Sequence, residues 1–475
     1  MKKLSAGETN HYRWWVLVTV SIVSFTVSLD NSILAACLPR LAQVFHTDPL
    51  TIGWLTIAFL ITSQSLMLSL SRIGDARGRK MVYMVSLALY TLGLACCSLS
   101  QGIGQLIAAR AMQGIGAATI FSLSMAIGVA VFPAEERGRT LGILASVYSV
   151  GLVAGPVFGG FLLDLIGWRA VFYSRIPIAL CGLAMTWMII KEQKSEDAHF
   201  RFDAHGTIGL FGLLSCLTLC LTFGSKRGFG TTSVLVLAIL SVLFVFYFLR
   251  AEMRAEQPVI DIKIFRERLF AAATLTNMVY AVSSSMAIFL IPFFLMEGLR
   301  SSGSLVGVFM GLMAAPVVLI APVSGKLSDK IGSRFLSALG VFINCVGLFY
   351  LSRMGAGCTL IALGVGVILV GSGMGIFQPP NNSLIVGSVP AHMLGTASAV
   401  ALTARQIGVS LGITIAGAVF TGNQAYQATR LMEKGFDVLS AKILGVTASF
   451  SEALILGAAI GVIGIFTSLV RKSRS

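Results

Sequence analysis

Fourteen separate stretches of about 20 apolar residues divide this chain, and a segment of that kind is stable in hydrocarbon only with its backbone bonds closed inside a helix. They lie near residues 14–38, 51–71, 81–101, 105–132, 139–163, 168–190, 206–224, 231–250, 269–296, 305–325, 335–352, 358–378, 394–421 and 449–470. Composition agrees. Of 475 residues, 56% are hydrophobic and 12% charged, with a mean hydropathy of +0.87, whereas a soluble domain carries about 25% charged residues. The expectation is an all-α polytopic membrane protein. The first stretch, from Trp14, exceeds the roughly 7–15 residues of a signal-peptide core and ends in no small-residue cleavage pattern, so it is read as a retained span.

An even number of spans puts both termini on one side. Of the 35 Lys and Arg residues, 23 fall in loops on that side, nine fall in the opposite loops, and Arg110, Arg175 and Arg405 lie within spans. Basic loops stay inside, which predicts a multi-pass protein of the cytoplasmic (inner) membrane with both termini cytoplasmic. The formal charge of +15 is therefore read as topology and contact with the lipid bilayer. The basic residues are divided among short loops and form no single patch, so no nucleic acid is expected. The eight cysteines sit in or beside apolar runs without metal-type spacing and read as buried thiols. No Gly-x-x-x-x-Gly-Lys-Ser/Thr run and no His/Cys/acid cluster occurs, which excludes an ATP-driven pump and a metalloenzyme. Neither a cofactor nor a metal is expected.

An internal echo organises the chain. Asp75, Gly78 and Lys80 between spans two and three are matched in spacing by Asp329, Gly332 and Arg334 between spans ten and eleven, with Arg79 beside the first set. A shared loop at equivalent places implies two six-helix halves with two extra spans between them, and a solute site between the halves near the midplane. The expected organisation is a cytoplasmic N-terminus (1–13), an N-terminal six-helix bundle (14–190), a linker with two further spans (191–250), a cytoplasmic loop (251–268), a C-terminal bundle (269–470) and a cytoplasmic tail (471–475). In each loop the acid can pair with Arg or cap a helix, and the Gly allows a tight reversal.

Asp30 is the one carboxylate set well inside an apolar stretch. A charge at that depth costs roughly 2.5–3.5 kcal/mol on insertion scales, so it faces a polar cavity, a partner or a proton path. Asp30 is read as the group that couples proton movement to solute movement. Counting inward from the opposite-face ends of the spans at about 1.5 Å per residue, Asp30, Arg110 and Arg175 share a layer roughly 8–12 Å deep. A fixed structural ion pair between Asp30 and one arginine is the competing reading. Gln113 lies one turn beyond Arg110, and Asn31 follows Asp30; both are candidate cavity residues.

These loops resemble the signature loop of the major facilitator superfamily. Gly151, Gly155, Pro156, Gly159 and Gly160 in span five are similar to the antiporter motif of its drug and metabolite exporters, where close glycines permit tight helix contact and proline leaves a bend. Leu29-Asp30-Asn31-Ser32, Trp54-Leu55-Thr56, Pro258 to Phe265, Phe377 to Asn382 and Arg405-Gln406-Ile407-Gly408 look like the fourteen-span drug:proton antiporter family. The resemblance implies the major facilitator fold. It further implies a proton-coupled antiporter working on a small-molecule solute as a monomer, with Arg110 exchanging charge with the proton site. It also implies that Asp75 with Arg79 and Asp329 with Arg334 latch the cytoplasmic side; Arg175 and Arg405, as charges within spans, are read as tuning the cavity. Ser71, Ala76, Phe59 and Arg175 depart from the family pattern; at the last two the family usually has Tyr and Asn. Two further readings stay open: an exporter of anionic compounds with the arginines as ligands, and a membrane sensor that keeps the fold without transporting.

Overall fold

The computed structural model describes residues 6–133, 136–192, 204–228, 230–254, 262–389 and 394–469, and these residues are helical with short turns. Among the described residues, fourteen helices are long and apolar enough to cross a membrane. The N-terminal bundle comprises α1 (Ala6–Val44), α2 (Pro49–Arg77), α3 (Arg79–Leu99), α4 (Ile103–Ala130), α5 (Arg137–Leu165) and a broken sixth span, α6 (Ala170–Tyr173) with α7 (Ile176–Ile189). Next come α8 (Ala204–Arg227) and α9 (Thr232–Arg254), which pack on each other. α8 also lies against α2 and α14, where Trp54 Nε1 donates to Thr222 Oγ1 at 3.2 Å. The C-terminal bundle comprises α10 (Arg268–Phe293), α11 (Gly303–Ile331), α12 (Ser333–Ser352), α13 (Leu360–Gly387), α14 (Leu394–Glu433) and α15 (Val438–Ser468).

Several helices outrun the apolar stretches that announced them. α1 continues through Pro39 to Val44, α14 continues to Glu433, and α15 starts at Val438, capped by Asp437, which accepts from the Leu439 and Ser440 amides. The added turns are of mixed composition, polar in much of 422–433 and largely apolar in 438–448, so an apolar run marks the length needed to span hydrocarbon and not where the helix ends. The depth of Asp30 changes accordingly. It lies fourteen residues, or about 21 Å, from the end of α1, whereas Arg110 lies about 10 Å from the start of α4. They still share a layer because α1 projects further.

The two repeated loops have one geometry. Gly78 (φ 120°) joins α2 to α3 and Gly332 (φ 94°) joins α11 to α12, each in a region that only glycine enters without strain. Their amides donate to Gly74 O (3.1 Å) and Ser328 O (3.0 Å), and their carbonyls accept from Val82 and Leu336. The surroundings differ. A Cβ at Gly78 would run into the Glu192 carboxylate, which accepts from the Lys80 amide at 3.2 Å, whereas nothing lies within 4 Å of Gly332. Arg79 and Arg334 are half-buried; the Asp75 and Asp329 side chains fall outside those described.

Candidate functional site

The glycines of span five fix how α1 presents its acid. Cβ atoms at Gly151, Gly155 and Gly159 would collide with Ser28, Ser32 and Ile33, so α5 closes against that side of α1. Ser32 Oγ donates to Gly151 O at 3.3 Å. α4 is drawn in by the same device. A Cβ at Gly114 would strike Thr62 and Phe59 O on α2, and one at Gly116 would strike α3 at Tyr90. Asp30 thus faces α4 and the break in span six.

There it meets both arginines. Arg110 Nη1 lies 2.9 Å from Asp30 Oδ2 and 3.1 Å from Oδ1, and Arg175 Nη1 pairs with Oδ1. All three residues are 1% exposed. Arg110 is held further by Leu55 O (Nε, 3.1 Å), by Gln113 Oε1 (2.7 Å) and by the Phe59 ring, 4.4 Å below its guanidinium. Phe59, which stands where the family usually has Tyr, gives this ring face without a hydroxyl. Arg175 has one other hydrogen bond, Nε to Val171 O at 2.9 Å. It lies not seven residues inside a continuous helix, as its position in the apolar run suggests, but at the N-cap of α7 in the turn after α6. Pro177, just inside α7, cannot donate, so the helix restarts there. The result is a closed triad of net charge +1, one carboxylate and two guanidiniums, with the Gln113 amide attached to Arg110. The Asn31 side chain falls outside those described.

Arg405 does not join the triad. It lies half-buried on α14, within electrostatic reach of Tyr280 on α10 and without an ion pair among the described residues. The two helices are tied by Asn277 Nδ2 donating to Ala401 O (2.9 Å), and Tyr280 stacks on Phe377 of α13 at 4.1 Å. Several polar atoms in this region are enclosed yet have no partner among the described residues: Gln64 Oε1, Ser65 Oγ, Tyr280 Oη, Asn381 Nδ2 and Thr403 Oγ1. Register relates those on α2 to those on α14. The helices touch at Gly53 with Ile413 and Leu50 with Gly417, so Gln64 and Ser65 lie level with Thr403, roughly 15–18 Å further toward the basic face. Sequence reading noted Asn381 only within the Phe377 to Asn382 motif and passed over the others; the polar run Thr62-Ser63-Gln64-Ser65 inside an apolar stretch was the available signal for α2.

The described contacts between the two bundles lie toward the face opposite the basic loops. Pro156 and Gly160 of α5 lie against Gly307 and Gly303 of α11. Beyond them Asp164 accepts from the Gly303 amide (3.0 Å), the Ser304 amide (2.7 Å) and the Ser304 hydroxyl. A carboxylate of one bundle thus caps a helix of the other. Pro156 and Gly160 read as helix-bending and packing residues in the sequence; the structure also places them at this junction.

Fourteen apolar spans arranged as two helical bundles, the first enclosing a buried charge triad, make this a multi-pass membrane protein. The Major Facilitator Superfamily profile matches residues 20–413. The chain is 29% identical over 419 residues to "Riboflavin transporter RibZ" of Clostridioides difficile (strain 630), covering 87% of this chain and 90% of that protein. It is 28% identical over 413 residues to "Multidrug resistance protein Stp" of Mycobacterium tuberculosis (strain CDC 1551 / Oshkosh), covering 86% and 76%. In fold it is similar to a bacterial homologue of the human lysosomal transporter Spinster, with a TM-score of 0.71 and 16% identity over 98% of this chain and 99% of that one. The chain belongs to the major facilitator superfamily, and relatives named for multidrug resistance accord with the fourteen-span branch that its motifs resemble.

Proposed function

We propose that this protein is a proton-coupled antiporter of the cytoplasmic membrane that exports amphipathic drugs or related metabolites by alternating access of its two bundles. The observation that carries the reading is Asp30 shared between Arg110 and Arg175. A proton can reach a carboxylate so held only when one arginine withdraws, because protonation in place would leave two enclosed guanidiniums without a counter-charge. Arg175 is the one to withdraw: it has a single additional hydrogen bond and sits in the break of span six, whereas Arg110 has further bonds to Leu55 and Gln113. Proton uptake is thereby tied to movement of the span that carries Arg175.

The basic face is taken as cytoplasmic. The joined far-face ends, Asp164 with Ser304 and Gly53 with Ile413, then form a closed outer gate. The solute sits between the bundles, where Gln64, Ser65, Thr403, Tyr280, Asn381 and Arg405 offer unused polar groups, with Gln113 and Asn31 on the triad side. Asp75 with Arg79 and Asp329 with Arg334 latch the inner face when it closes. Flux measured in proteoliposomes under an imposed pH gradient, with cationic, neutral and anionic compounds, tests the reading; gradient-driven transport at full rate by Asp30→Asn would sink it.

A second reading, export of anionic compounds, draws support from the net +1 triad and from Arg405, which has no ion pair among the described residues. Export of anions alone in the same panel would favour it.

A further inference from the structure

Apart from the triad and the midplane groups, a charged cavity among the described residues has no role so far. About 600 Å³ of space opens at the far face between the bundles, a volume that takes a drug-sized molecule. One wall is the turn from α1 to α2, including His46; the other holds Glu297, Thr421, Gln424 and Lys442 of the C-terminal bundle.

The charged groups in it are under-used. Asp48 is spent on capping α2, through the Thr51 amide (2.9 Å) and hydroxyl (2.8 Å). Glu297 is different: it is half-buried and accepts only one long hydrogen bond, from Gln424 Nε2 at 3.4 Å. It also stands on a π-helical turn, Phe294–Gly298, at the end of α10, and such turns are concentrated at functional sites. Lys442 interacts with Glu297 through space but forms no ion pair with it. Thr421 Oγ1 is enclosed with no partner among the described residues. His46, the turn residue with φ 48°, is exposed beside them.

We infer that this cavity binds a zwitterionic small molecule from the outer side, its ammonium on Glu297 and its carboxylate on Lys442 and His46. A carboxylate and an ammonium near one another but unpaired match such a ligand in both signs, and each contact is a charge-assisted hydrogen bond. Both bundles contribute walls, so the site is complete only while their far-face ends are together. A ligand there favours the outer-closed state and slows the cycle from outside. The regulatory effect rests on the alternating-access reading above; the site itself does not.

Three dansyl probes with one fluorophore separate the charges: Nε-dansyl-lysine (zwitterion), dansyl-cadaverine (cation) and dansyl-aminohexanoate (anion). On the purified full-length protein the zwitterion binds at least about tenfold tighter than either. Glu297→Gln brings its affinity down to the level of the anion, and Lys442→Gln brings it down to the level of the cation. A cysteine placed at Leu50, in a background without native cysteines, is labelled about tenfold more slowly at saturating dansyl-lysine. Equal affinities for the three probes in the unaltered protein overturn the inference, whether or not the variants fold. So does zwitterion binding that neither substitution weakens. Asp30→Asn separates the two readings. Loss of proton-driven flux with probe affinity kept within about twofold leaves this site standing, whereas loss of probe binding in that variant would place the probe at the midplane and remove it.

Discussion

Asp30→Asn removes the single negative charge of the triad, and its cost follows from what it leaves behind. Arg110 and Arg175 both approach Asp30 Oδ1 and are 1% exposed, so without the carboxylate two enclosed guanidiniums face each other. At about 5 Å and an effective dielectric of 20, their repulsion is about 3 kcal/mol. That lies within the roughly 3–5 kcal/mol expected when a buried pair loses one partner. Arg175→Gln has a different balance. It gives up one charge-assisted bond, about 1.5–3 kcal/mol, but also removes the repulsion and leaves a neutral Asp30–Arg110 pair, so its net cost is about 1 kcal/mol or less. The double variant should recover at least half of the Asp30→Asn loss. Thermal unfolding in detergent, followed by intrinsic fluorescence, gives the order: wild type close to Arg175→Gln, the double variant below them, Asp30→Asn lowest. In proteoliposomes Asp30→Asn should lose gradient-driven accumulation and retain some solute binding. An Asp30→Asn melt coincident with wild type, or an Arg175→Gln loss equal to that of Asp30→Asn, would refute the argument.

The far-face clasp should be tunable. Asp164→Ala removes the cross-bundle bonds to the first turn of α11, worth about 1 kcal/mol, while Ser302 still caps that helix, and shifts the gate about fivefold toward open; labelling of a cysteine at Leu50 from outside should rise by that factor, and an unchanged rate would exclude a gating role. Gly155→Ala forces its methyl to within 2.9 Å of Ile33 N and 3.0 Å of Leu29 O, so α1 and α5 must part at about 1–3 kcal/mol. Gly357→Ala, with nothing within 4 Å, serves as the neutral control in the same melting assay. Gly78→Ala should cost more than Gly332→Ala. Both incur the strain of positive φ, about 1–2 kcal/mol, but only the former also displaces Glu192; equal melting temperatures would show that Glu192 simply moves aside.

The span count was legible because hydrocarbon thickness dictates the length of an apolar run, and the signature loops were legible because a positive φ demands glycine at both Gly78 and Gly332. The triad was half legible. Charges are so scarce inside these spans that Asp30, Arg110 and Arg175 stand out, but whether one or two arginines reach the acid depends on how far α1 overhangs and on where span six breaks between α6 and α7. The overhang, residues 39–44, mixes polar with apolar residues and begins at a proline, so it carries no clear hydropathy signal. Contacts between distant helices were not legible at all. Asp164 and Glu192 are ordinary acids at span ends in the sequence, and only packing shows that the first caps α11 while the second sits beneath Gly78. Arg405 had the same prominence as Arg175, yet it belongs to the other bundle.

The charge of the triad also constrains which solute can exchange with a proton. With Asp30 ionised the triad is +1, and each solute charge about 10 Å away feels roughly 1.7 kcal/mol at an effective dielectric of 20. A proton on Asp30 raises the triad to +2 and doubles that term. A cation is bound against a modest penalty before proton uptake and is expelled by it, so proton and cation compete, as antiport requires. An anion is held more firmly once the proton arrives, so the two would move together, opposite to the coupling proposed here. A neutral amphipathic solute feels neither effect and must be released by the movement of span six alone. Electrostatics therefore joins the sign of the coupling to the sign of the solute. The net positive charge of the triad and of Arg405 argues for an anion only if proton and solute travel in the same direction; if they travel in opposite directions, the same charge becomes the means of releasing a cation.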